Sequence, residues 1–135
     1  MINVGNEIYT FVRSIVKQSY PSLKTSDEYQ AEVSEFPIAI ISQRDDYTNT
    51  SRIDSGDLEN AVNVMFEASV YSNKISGKKA EAYEIMDRVD YAFKLLGFVR
   101  TMCEPVDNLA DATIYRLVAR FEGTIDKKHL IYTRR

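Results

Sequence analysis

The chain has 135 residues, 44% of them hydrophobic and 27% charged, which fits one globular domain with a hydrophobic core of its own. Its formal net charge of −3 and pI near 5.2 argue against a protein that grips nucleic acid over a broad basic surface. The single cysteine excludes an internal disulfide, and no stretch approaches the roughly 20 apolar residues needed to span a bilayer.

The N-terminal segment predicts an amphipathic helix over residues 3–20, because its apolar residues recur at helical spacing. Pro21 ends this helix, since the residue before a proline is pushed out of helical geometry. Glu7 interrupts the segment, and no basic start precedes an apolar run, so we expect no signal peptide and a soluble protein made in the cytoplasm. Residues 22–35 are polar and predict a connector with a short strand around residues 23–25.

Two strand-forming segments flank the least compact stretch of the sequence. Residues 36–43 form a short apolar run, and residues 62–72 alternate, with Val64, Phe66, Ala68 and Val70 on one face. Residues 44–60 between them are rich in Asp, Asn, Ser and Thr and carry a turn signal at Gly56. We therefore predict that both strands continue into this stretch as a long hairpin that projects from the body, with its tip near residues 52–57.

A second helix, predicted over residues 76–97, organises the rest of the chain. Ile85, Val89 and Phe93 share one helical face, which we expect to pack on a sheet. Ser76 is the candidate N-cap, and Gly97 is the candidate left-handed residue at the end. Strands follow at residues 98–103 and 113–125, with either a polar turn or a single helical turn at 105–112 between them.

This order of elements predicts an α+β fold, in which a mostly antiparallel sheet has two helices packed on one face and a long projecting β-hairpin. We treat residues 1–135 as a single domain. The basic residues 127–135 form either a last short strand or an extended C-terminal arm.

The residues that carry chemistry in enzymes are sparse in this sequence. His129 is the only histidine and lies in the charged tail, and Cys103 ends a predicted strand without any metal-ligand spacing around it. The acid pairs at residues 45–46 and 54/57 lack the ligand ladder of a calcium loop, and the isolated glycines form no phosphate-binding loop. We therefore predict no catalytic site, no cofactor and no metal. Arg116 and Arg120 are interspersed with acidic residues, and this pattern predicts that they form cross-strand ion pairs or subunit contacts.

The order of elements carries a resemblance to a known family. A short helix precedes the strand FPIAIIS, and the polar hairpin YTNTSRIDSGDLEN leads into VNVMFEASVYSN. A helix beginning KKAEAYEIMDRV follows, and after LLGFVR comes the closing segment NLADATIYRLVARFEGTID. Together these resemble the tail-terminator, or tail-completion, proteins of long-tailed bacteriophages, which are also labelled minor tail or minor capsid proteins. The resemblance covers about residues 3–126.

The resemblance implies a structural virion protein rather than an enzyme. Such a subunit assembles with itself into a ring, typically a hexamer, that ends tail tube polymerisation at the head-proximal end and joins the tail to the head. The implied partners are other copies of the chain, the tail tube protein, the head connector or stopper protein, and, as a further partner, the sheath protein. DNA passes through the ring without specific binding, no membrane is involved, and the location is the virion at the head–tail junction. We expect the hairpin to make the contacts, through Tyr47, Arg52 and Ile53 as anchors with Asp54 and Asp57 beside them.

Three other functions stay open on sequence grounds. A head–tail connector or stopper protein is also a small ring protein with projecting loops. A non-viral α+β module that binds a protein partner along an open sheet edge would instead be a monomer. A small hydrolase or transferase would need a pocket that holds Cys103 or His129 next to a carboxylate.

Overall fold

Two helices and five strands make up the part of the fold that the structure describes. A computed structural model describes residues 5–28, 33, 35–48, 61–107 and 112–126, and for residues 45–48, 61, 62, 125 and 126 it describes only the backbone. The elements in chain order are α1 (Gly5–Ser19), β1 (Lys24–Ser26), β2 (Ile38–Thr48), β3 (Ala61–Ser72), α2 (Lys78–Leu95), β4 (Val99–Val106) and β5 (Tyr115–Asp126).

The five strands form one open sheet in the order β1-β2-β3-β5-β4. Strands β2, β3, β5 and β4 pair antiparallel to one another, whereas β1 runs parallel to β2. The predicted α+β class with a mostly antiparallel sheet is therefore confirmed. The two edges of the sheet differ, because one is the three-residue strand β1 and the other is the eight-residue strand β4.

The main core lies between one face of the sheet and both helices, as the sequence predicts. The alternating residues of β3 and β5 point into it, and α2 contributes Ile85, Val89 and Phe93, all fully buried. From α1 come Ile8 and Val12, which follow the helical spacing of its apolar residues. A periodic apolar face on each element thus holds the two layers together.

The opposite face of the sheet carries no described helix. A small apolar cluster of Ile38, Ile40 and Tyr71 lies at one end of it. Nearer the middle, Arg120 donates a hydrogen bond from Nε to Glu67 on the neighbouring strand at 3.1 Å. The expected cross-strand ion pair of Arg120 is thereby confirmed, with Glu67 as its partner.

The N-terminal end of α2 differs from the prediction, and its C-terminal end agrees with it. The residue at the N-cap position is Gly77, with φ of 88° and no side-chain cap, so the prediction of Ser76 as the cap is wrong. Serine gives no advantage here, because the chain enters the helix through a left-handed residue that only glycine adopts without strain. At the other end Gly97 has φ of 82°, as predicted.

Strand β4 is longer than the sequence suggests. It runs through Pro105 to Val106, so the prediction of a turn beginning at residue 105 is wrong. A proline fits there because β4 is an edge strand, and one side of an edge strand needs no N–H for pairing.

The structure describes the two strands that lead to the predicted hairpin, β2 and β3. Strands β2 and β3 pair as far as Thr48 opposite Val62, with one irregularity between Gln43 and Asp45. Strand β5 runs beside β3 to the pair Ala61 and Asp126, so three strands extend together at this end. The predicted hairpin tip and the C-terminal residues 127–135 lie outside the described residues.

Candidate functional site

Of the residues predicted to make interface contacts, Tyr47 alone falls within the described part of the chain. Its backbone lies in β2, opposite Asn63 of β3. Arg52, Ile53, Asp54 and Asp57 lie outside the described residues. The structure therefore describes the strands that lead to the predicted contact region, and the contacts of these four residues stay a prediction.

The candidate nucleophile Cys103 lies in β4 and is half-buried. Burial raises the pKa of its thiol, Asp90 and Asp87 add to this, and the Arg100 guanidinium opposes it. A raised pKa lowers the share of thiolate at neutral pH, which is the opposite of what activates a cysteine nucleophile. His129 lies outside the described residues. Among those that are described, no three His, Cys, Asp or Glu side chains come together as metal ligands.

A second polar cluster, which the sequence did not predict, lies where α2 faces the edge strand β4. Asp90 points from the buried side of α2 and is 8% exposed. Its Oδ2 accepts from Lys94 Nζ at 2.8 Å, and its Oδ1 lies 3.9 Å from an Arg100 guanidinium nitrogen, too far for a hydrogen bond. Oδ1 is buried and has no hydrogen-bond partner among the described residues. We call Lys94 and Arg100 the basic pair.

The basic pair borders an open cavity of about 410 Å³, which Asp90, Gly97, Phe98 and Val99 also line. The side chains of Lys94 and Arg100 are 66% and 44% exposed, so their remaining donors are accessible. Because the one carboxylate offsets only one of the two cations, the cluster keeps a formal charge of +1. A site of this composition attracts a carboxylate or another small anion.

The opposite edge of the sheet presents acidic side chains. Asp27 and Glu28 directly follow β1 and are both exposed. The hydroxyl of Ser26 contacts the backbone N–H and C=O of Glu28 at 3.2 Å, which holds this turn locally. We call Asp27 and Glu28 the acidic pair. Within the described ranges, neither carboxylate has an ion-pair or hydrogen-bond partner for its side chain.

One member of each pair, Asp27 and Arg100, lies at the same height of the sheet. Arg100 pairs with Phe121, which pairs with Phe66, which pairs with Gln43 in β2. Asp27 lines one cavity together with Gln43, Phe66 and residues of α1. Asp27 and Arg100 therefore lie near the two ends of the same row of the sheet, on the side that carries the helices.

Sequence reasoning missed this arrangement because its members come from distant parts of the chain. The only local signal was the spacing of four between Asp90 and Lys94, which pairs opposite charges on one helical face. Nothing in the sequence places Arg100 or Asp27 relative to that helix.

No helix within the described ranges is both long and apolar enough to cross a membrane. Neither a protein-family model nor a curated protein matches the chain.

Proposed function

We propose that this protein is a structural subunit of a bacteriophage tail, which assembles with itself into a ring at the head-proximal end of the tail tube. The ring ends tube polymerisation and joins the tail to the head connector. Support comes from the resemblance of the sequence to tail-terminator proteins and from the order of elements α1, β1, β2, β3, α2, β4, β5, which agrees with the order on which that resemblance rests.

The observation that carries the proposal is the open sheet with two unlike edges, β1 and β4. A subunit with two different contact surfaces associates head to tail, and such contacts close into a ring when the rotation between neighbours allows it. A subunit with one self-complementary surface would instead form a closed dimer. Near β1, Lys24 pairs with Glu35 and leaves the acidic Asp27 and Glu28, whereas β4 carries Arg100 beside Lys94 together with the exposed Glu104. The acidic pair and the basic pair favour contact between unlike edges of two copies.

The three-stranded stem of β2, β3 and β5 supports the second part of the proposal. Its strands lead towards the polar residues 49–60, which separate two well-paired strands. Their sequence predicts a projecting hairpin, and because ordering a backbone costs roughly 1–2 kcal/mol per residue, we propose that these residues contact a partner. In the proposed ring that partner is the end of the tube or the neighbouring copy.

The test has two measurements on the purified full-length chain. Light scattering gives its mass in solution, alone and with the tail tube protein encoded by the same genome, and electron micrographs then show the shape of the assembly. We expect a ring of several copies, and tubes that stop growing when the protein is added during polymerisation. A protein that stays monomeric with tubes present and leaves tube length unchanged would overturn the proposal. A ring that binds the head connector and ignores the tube end would identify a connector or stopper protein instead.

A further inference from the structure

We propose that the acidic pair of one copy binds the basic pair of the next copy, and that this contact joins neighbours in the ring. Asp27 and Glu28 would enter the cavity between α2 and β4 and meet Lys94 and Arg100. This inference rests on the proposed ring, and it adds the surface through which the ring closes.

The basic side of the contact has unused binding capacity. The Lys94 ammonium donates one hydrogen bond to Asp90. The Arg100 guanidinium makes none to that carboxylate, because its nitrogen lies 3.9 Å from Asp90 Oδ1. Asp90 holds the Lys94 ammonium beside the cavity while leaving the cluster with one uncompensated positive charge. The cavity volume of about 410 Å³ is ample for a carboxylate side chain. An incoming carboxylate would neutralise the site and accept from both cations.

The acidic side carries charge of the complementary sign, and among the described residues its carboxylates are unpaired. Asp27 and Glu28 are exposed, and Glu28 is held next to β1 by the hydroxyl of Ser26. Asp27 and Arg100 lie near the two ends of one row, on the helical side of the sheet. Two copies placed edge to edge with their sheets aligned would therefore bring the acidic pair of one against the basic pair of the other.

The two pairs cannot meet within one copy. They lie on opposite edges of a five-stranded sheet, and four spacings of about 4.8 Å each separate the edge strands by roughly 19 Å. This separation leaves each charged pair available to a neighbour.

The two edge strands favour contact between copies through side chains rather than through strand pairing into a continuous sheet. Strand β1 has three residues, and β4 carries Pro105 and an irregularity between Arg100 and Met102. Short strands, prolines and bulges are the features that keep an edge from pairing with another strand. Charged side chains at the edges would then provide both the attraction and the register.

The test exchanges the charges of the two surfaces. Arg100→Glu reverses the basic side while keeping Lys94, which holds the buried Asp90. A second variant, with Asp27→Lys and Glu28→Lys, reverses the acidic side. Each variant alone sets like charges against each other, so we expect its self-association to weaken by roughly a hundredfold, as like-charge contacts cost several kcal/mol and 1.4 kcal/mol is a factor of ten. Mixed in equal amounts, the two variants again offer opposite charges at every contact and should form rings in which they alternate.

Lys79→Glu is the matched control, because Lys79 is exposed in the first turn of α2 and its reversal changes the net charge by the same amount as Arg100→Glu. Circular dichroism checks the fold of every variant. If a reversed variant does not fold, Arg100→Gln and Asp27→Asn replace it, and each should weaken assembly by a smaller factor. Assembly of the wild type should also weaken as the salt concentration rises, because the Debye length, over which charges interact, falls to about 3 Å at 1 M salt.

The outcomes separate this contact from the proposed function. Rings from the wild type and from both reversed variants alike would overturn the contact and leave the ring intact. Folded variants that fail to assemble alone and also fail in the mixture would overturn the pairing of these two surfaces. A wild type that never assembles, with or without tubes, would overturn both the contact and the proposed function.

Discussion

Phe93 offers the most direct test of the packing between α2 and the sheet. Its ring is fully buried and stacks on Phe121, with 4.3 Å between centroids and 11° between planes. Phe66 and Phe98 lie 5.6 and 5.3 Å from it. Truncation of a buried phenylalanine to alanine costs about 3–5 kcal/mol, and each aromatic pair adds about 0.5–1.5 kcal/mol beyond its buried area. Because Phe93→Ala removes three such pairs, we expect a loss near the upper end, about 4–5 kcal/mol in the free energy of unfolding.

Urea denaturation followed by circular dichroism measures this loss. Leu95→Ala is the control on the same helix, because Leu95 is 47% exposed and surface substitutions usually change stability by less than about 0.5 kcal/mol. Phe93→Leu keeps much of the side-chain volume and should fall between the two, which preserves the test if Phe93→Ala does not fold. A loss for Phe93→Ala no greater than that for Leu95→Ala would refute the described packing.

Three further predictions concern other parts of the chain. Gly123→Ala should destabilise the fold by about 1–3 kcal/mol, because the added Cβ would lie 2.7 Å from the buried ring of Phe98; an unchanged thermal midpoint would contradict that contact. Since burial raises the pKa of the Cys103 thiol, its alkylation by iodoacetamide should be slower in the folded protein than in the urea-unfolded chain, and should speed up from about pH 8 to pH 10 as thiolate forms. Equal rates in the folded and unfolded states would show that the thiol is not shielded. Replacing residues 50–60 by Asn-Gly, a turn that antiparallel strands favour, should keep the pairing of Thr48 with Val62 and the fold but abolish the capping of tail tubes; tubes still stopped by this variant would count against a role for the loop.

The main elements and their buried faces were predictable because they follow from local patterns. The helical spacing of Ile85, Val89 and Phe93 predicts the buried face of α2, and the alternation of Val64 and Phe66 predicts that of β3. Each of these patterns is set by neighbours along the chain. The packing of both helices on one face of the sheet follows from the need to cover those apolar faces.

The ends of elements and the charged edges depended on contacts between distant segments. Pro105 predicts a turn in isolation, yet it lies within β4 because that strand is at the edge of the sheet. The parallel pairing of β1 with β2 has no signal in the polar connector. The approach of Arg100 to Asp90 requires β4 to lie beside α2, which sequence spacing does not encode.

The position of β5 in the sheet has a consequence for synthesis of the chain. The last described strand lies between β3 and β4 and pairs with both along most of its length. While the chain emerges from the ribosome, β3 therefore exposes one unpaired side, and β4 has no partner until β5 arrives. A product terminated before Tyr115 would present two open strand sides that template aggregation. The native sheet thus forms only once β5 has been translated, and products truncated before it would be substrates for chaperones and proteases.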